Sequence, residues 1–96
     1  MFVLITYDVN TETAAGKKRL QQVAKQCENY GQRVQDSVFE CVVEPAQLVV
    51  LKSKLEKIID EEKDSIRYYS LGDEWRNRVD HMGVKKGIDL EAPLVL

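Results

Sequence analysis

Asp8 closes an otherwise apolar stretch, Phe2 to Tyr7, and a carboxylate there is stripped of water unless it meets a cation, a donor or solvent. Two roles are open to it. It can cap the following loop by accepting from the backbone N–H of Asn10 or Thr11, or it can bind a cation. Shortly after it, Lys17, Lys18 and Arg19 occupy the first turns of a helix-forming segment, where the helix dipole favours anions over cations. That placement points to an anionic partner. Lys25, Arg33, Arg76, Arg78, Lys85 and Lys86 can extend a phosphate-binding track if the fold gathers them, and otherwise form an ordinary solvated face.

Other reactive types carry less. Ser37 can hydrogen-bond the Asp8 loop or an anionic partner, but a serine nucleophile needs a nearby base, and the one histidine, His81, lies far along the chain. Nucleophilic catalysis is therefore not expected. Tyr7 can orient a bound anion or bury its ring in the strand, and the alternation favours the core. Cys27 and Cys41 have no CxxC spacing and no histidine beside them, which reads as two buried free thiols, not a zinc or redox site.

The elements that must position these residues follow from periodicity. In FVLITYD, Val3, Ile5 and Tyr7 share one face and Phe2, Leu4, Thr6 and Asp8 the other, so both faces are apolar until the last residue, as in an interior strand. A helix follows, capped by Asn10, Thr11 or Thr13, with Leu20, Val23, Ala24 and Cys27 as its apolar stripe and Gly31 as its stop. The segment Arg33 to Val43 is either one long strand or two short ones bent near Asp36 and Ser37. Pro45 suits the first turn of a second helix, with Leu48, Leu51, Leu55, Ile58 and Ile59 at helical spacing. After the charged run Asp60 to Asp64, which would repel an anionic partner and so face elsewhere, SIRYYSL reads as a strand closed by Gly72.

With the middle segment as a hairpin, the order is βαββαβ, which implies an α+β ferredoxin-like sandwich with two helices on one face of an antiparallel sheet. Residues 1–72 form this core. Residues 73–96 lack a helical stripe and read as an extended arm with a C-terminal strand, suited to adding to a sheet edge in the same chain or in a second copy. Homodimerisation is the natural use of such an arm. Trp75 anchors it either to a partner or within the chain.

The 96 residues fit one domain, and 44% hydrophobic with 31% charged residues fits a soluble globular protein. A formal net charge of -2 provides no global basic footprint, so any contact with nucleic acid must rest on local patches. No apolar run reaches the roughly 20 residues a bilayer requires, and MFVLITYD has neither a basic start nor a cleavage site. A cytoplasmic protein without a membrane partner is expected.

Three segments in order, TYDV at the end of the first strand, YGQRVQDSVFE after the first helix and DSIRYYSLG as the last core strand, resemble the CRISPR-associated protein 2 family. QxSVFE is the most specific of them. The tail, with GVKKG and PLVL, is similar to type I-C members. The resemblance implies a ferredoxin-like homodimer in which the strand-one aspartates, here Asp8, face each other and share a Mg²⁺ ion, with Mn²⁺ as an alternative. It implies a metal-dependent endonuclease acting on DNA or single-stranded RNA in antiviral defence. It also implies a second job, a DNA-binding dimer that partners the CRISPR integrase in spacer acquisition. The family's strand-two arginine and Ser-Val-Phe positions carry over to Arg33, Ser37, Val38 and Phe39. Where relatives place arginines early in helix one, this chain has Lys17, Lys18 and Arg19, so point charges replace part of a bidentate set.

Overall fold

A computed structural model describes residues 1–84 and 87–88. Strand β1 (Phe2–Asp8) leads into helix α1 (Ala14–Glu28), the hairpin β2 (Gly31–Gln35) and β3 (Val38–Val42), helix α2 (Pro45–Ile58) and strand β4 (Ser65–Gly72). The sheet order is β2-β3-β1-β4, with every neighbouring pair antiparallel. This is the ferredoxin-like α+β arrangement, in which β1 sits inside the sheet, as its two apolar faces require.

Local chemistry accounts for the boundaries. Thr13 is the residue that caps α1, its hydroxyl accepting from Gly16 N–H at 3.0 Å. Glu44 and Gln47 form a capping box ahead of α2, and Pro45 opens that helix. The open question of one strand or two resolves as a hairpin: the chain turns at Asp36 and Ser37. Gly31 has a different reason from the helix stop expected of it. It begins β2 without a positive φ, and a Cβ there would run into the backbone of Glu40 and the Cys41 thiol.

Val3, Ile5, Tyr7, Phe39 and Cys41 on one face of the sheet meet Val23, Ala24 and Cys27 of α1 and Leu48, Leu51 and Leu55 of α2 in a single core. Burial lifts the Cys27 thiol to about 12 and the Cys41 thiol to about 11, as expected of structural thiols. The opposite, helix-free face carries Phe2, Leu4, Thr6 and Asp8 of β1, flanked by Val38, Glu40 and Val42 of β3 and by Arg67 and Tyr69 of β4. At its Phe2 end this face is covered by the chain itself. Beyond Gly72, whose φ of 75° makes the turn, a short 3₁₀ helix (Trp75–Asn77) buries Trp75 against Phe2 with ring centroids 5.0 Å apart. Trp75 thus anchors the arm within its own chain. Further on, Ile88 N–H donates to Glu40 Oε1 at 3.2 Å. The proposed C-terminal strand, and Lys85 and Lys86, lie outside the described residues.

Candidate nucleic-acid and metal site

The end of the sandwich where β1 stops gathers five pieces of chain: the last residue of β1, the start of α1, the β2–β3 turn, the end of α2 and the first residue of β4. Asp8 stands there exposed, on the helix-free face with Thr6, opposite Ser65 across the strand pair. The loop-capping role is taken by another residue. Asn10 N–H donates to Asp64 Oδ1 at 3.0 Å, and Glu12 N–H donates to Asn10 Oδ1 at 3.0 Å. The Asp8 side chain has no hydrogen bond or ion pair to any described residue, so it is free to meet a ligand from outside the chain. No group of three or more His, Cys, Asp and Glu capable of holding a metal occurs among the described residues. A hard divalent cation such as Mg²⁺ takes one or two carboxylates and fills its remaining positions with waters and substrate phosphates, so Asp8 alone is a sparse site, and the Asp8 of a second copy would complete a carboxylate pair.

Tyr7 belongs to the core. Its ring is buried and stacked near Phe39 at 6.1 Å, and its hydroxyl donates to the Asp36 carbonyl at 3.2 Å. Burial raises its pKa above the ordinary phenol value. Tyr7 N–H also donates to the Ser37 carbonyl at 3.1 Å, so this residue ties the β2–β3 turn to the end of β1 from both its side chain and its backbone. Ser37 is half-buried in that turn, and Phe39 is fully buried beneath it. In the QxSVFE segment, phenylalanine supplies core and serine supplies the turn.

The basic residues part company. Lys17 and Lys18 are exposed on the first turns of α1, at the Asp8 end of the molecule, and pair with no described carboxylate. Arg19, one residue on, is committed: Nε donates to Asp64 Oδ2 at 2.8 Å and a terminal nitrogen to Oδ1 at 3.3 Å. Arg33 sits on the helix side of the sheet, opposite in strand register to buried Phe39, over whose ring its guanidinium lies 5.2 Å from the centroid. It also reaches Glu28 at 3.4 Å, an exposed pair of small energetic worth. Arg33 and Asp8 therefore lie on opposite faces within one chain.

Two further residues matter at this end of the sheet, and the sequence pattern does not single them out. Arg67 is exposed on the same face as Asp8, opposite Thr6 in the register, and donates to the Tyr69 hydroxyl at 3.3 Å. Strand alternation places Arg67 with Tyr69, but only the β1–β4 register puts both beside Asp8. Asp64 belongs to the charged run Asp60 to Asp64, expected to face away from an anionic partner, yet its side chain is wholly inaccessible. The single hint was its position immediately before the strand, at the edge of the apolar pattern.

The model for CRISPR associated protein Cas2 matches residues 1–79. A CRISPR-associated endoribonuclease Cas2 of Rhodospirillum rubrum is 58% identical over 94 residues, 98% of this chain and 99% of that one. A CRISPR-associated endonuclease Cas2 of Halalkalibacterium halodurans is 59% identical over 95 residues, covering 99% of both. Among solved structures, Streptococcus pyogenes Cas2 superimposes with a TM-score of 0.75 at 63% identity, over 86% of this chain and all of that one.

Proposed function

This chain belongs to the CRISPR-associated protein Cas2 family and is a nuclease of CRISPR defence, and we propose that it cuts phosphodiesters at a metal site built from the Asp8 carboxylates of two copies. One observation carries the proposal: an exposed carboxylate on the helix-free face of the sheet, unpartnered among the described residues, where a twofold-related copy can meet it. A shared Mg²⁺ or Mn²⁺ would activate water and offset charge on the phosphoryl oxygens.

The chain's own residues do the rest. Asp8 supplies hard oxygen ligands. Lys17 and Lys18 attract and hold the phosphate backbone at the same end of the molecule. Tyr7 keeps the β2–β3 turn against the end of β1, so the Asp8 backbone has a fixed seat. Leu4, Thr6 and Tyr69 provide the contact surface between copies, and doubling Lys17 and Lys18 by symmetry gives two cationic stripes.

The relatives' names divide between endoribonuclease and endonuclease, so both RNA and DNA are candidate substrates. The test is cleavage of labelled single-stranded RNA and duplex DNA, wild type beside Asp8→Asn, with Mg²⁺, Mn²⁺ or EDTA. Cleavage that needs both the metal and Asp8 is expected, and the better-cut substrate names the class. Equal cutting by Asp8→Asn overturns the site.

A second reading is favoured by Lys17 and Lys18, exposed and unpaired among the described residues: a noncatalytic dimer that holds duplex DNA for the CRISPR integrase during spacer acquisition. It predicts that Asp8→Asn still supports acquisition, whereas Lys17→Glu with Lys18→Glu does not.

A further inference from the structure

A wholly buried carboxylate in a chain whose neighbouring Glu61, Glu62 and Lys63 are exposed needs a reason, because desolvation opposes its charge. Asp64 has four donors from three separate pieces of chain. Oδ1 accepts from Asn10 N–H at 3.0 Å and from Arg19 at 3.3 Å, and Oδ2 accepts from Arg19 Nε at 2.8 Å and from Asp60 N–H at 2.9 Å. The β1–α1 loop, helix α1 and the α2–β4 turn thus converge on one side chain.

Both strands that meet at Asp8 run directly into this knot. Asn10 follows Asp8 by two residues, and Ser65, the cross-strand partner of Asp8, is joined to Asp64 by a peptide bond. The loop is also pressed against α1, since the Asn10 carbonyl lies where a Cβ on residue 16 would stand and only Gly16 admits it. Arg19 has its fork spent on Asp64, unlike Lys17 and Lys18.

We infer that Asp64 and Arg19 are positioning residues for Asp8, acting through the Asn10 loop and the start of β4, and that Arg19 is not a ligand of the nucleic-acid phosphates. The inference rests on the Asp8 nuclease reading and assigns Arg19 a role different from that of its two lysine neighbours. A misplacement of about 1 Å at a reacting group can lower a rate about 10²-fold while leaving binding intact, so the signature is a fall in kcat without a rise in KM.

Asp64→Asn keeps an oxygen for the Asn10 N–H but loses the ion pair, and Arg19→Lys keeps the charge but loses the fork. Each is measured with the Lys17→Ala, Lys18→Ala double variant and Asp8→Asn, well below its unfolding temperature. For Asp64→Asn and Arg19→Lys, the expected result is a kcat at least about tenfold lower, with KM within about threefold of wild type. Weaker Mn²⁺ binding by Asp64→Asn should accompany it, while the Lys17→Ala, Lys18→Ala double variant raises KM. A raised KM with intact kcat in Arg19→Lys makes Arg19 a phosphate ligand and overturns the inference. Wild-type kcat and Mn²⁺ affinity in Asp64→Asn leave the knot purely structural and also overturn it. If Asp8→Asn itself cuts normally, the nuclease reading falls instead, a distinguishable result. Amide exchange on the wild-type protein tests the clamp without a variant: Asn10 N–H exchanging as slowly as β1 amides is expected, and exchange at open-loop rates refutes it.

Discussion

Held first by Arg19 and then by the backbone N–H groups of Asp60 and Asn10, the Asp64 carboxyl ionises below its ordinary range despite burial. A folded pKa lower than the unfolded one adds stability at neutral pH, fully present above the unfolded value and lost as pH falls through the folded one. Urea unfolding at pH 7 and pH 3 should therefore show wild type losing more stability on acidification than Asp64→Asn, which starts lower at pH 7. A parallel acid response in the two proteins would remove Asp64 from the acid-sensitive set. The thiols give a second residue-level expectation: with Cys27 near 12 and Cys41 near 11, neither should react with a thiol reagent at pH 8 until the chain unfolds. Labelling of the folded protein would contradict their burial.

At the scale of elements, the start of α1 serves two ends at once. Its buried side receives the Asn10 loop at Gly16, and its exposed side presents Lys17 and Lys18. Gly16→Ala must push the loop away from the helix, so we expect about 1–3 kcal/mol of destabilisation together with reduced cleavage. Normal stability and cleavage in this variant would show that the loop can shift freely. The Lys17→Ala, Lys18→Ala double variant should instead leave stability unchanged and flatten the salt dependence of nucleic-acid binding by about 0.9 per lost phosphate contact on duplex DNA. Helices and strands were readable because each carries a local signal: a threonine cap, a proline at the first turn, alternation along β1. Arg19 was not, because its partner lies 45 residues away and only the packing of α1 against the α2–β4 turn joins them. Asp64 was hidden for the same reason, since composition alone cannot separate a buried carboxylate from the exposed acids beside it.

On the scale of the whole molecule, the sheet has one face sealed by helices and one partly closed by its own arm through Trp75. Among the described residues, Asp8, Arg67 and Tyr69 are exposed on this face and Leu4 and Thr6 are half-buried. Tyr69 is 44% exposed, a large ring left uncovered in a single chain. Tyr69→Glu should weaken self-association and cleavage together, as read by light scattering and activity over a dilution series. A monomeric variant with full activity would argue for a site complete in one chain. The sandwich itself was legible from the βαββαβ order, because caps and periodicity are local. The faces on which Arg33 and Arg67 lie were not, since register is a property of strand pairs and no single strand states it.

Metal stoichiometry tests the paired-aspartate site most directly. Mn²⁺ titration of the purified protein, followed by electron paramagnetic resonance, should give one bound ion per two chains, with binding lost in Asp8→Asn. One ion per chain, or undiminished binding in Asp8→Asn, would place the metal elsewhere and contradict a site shared between two copies.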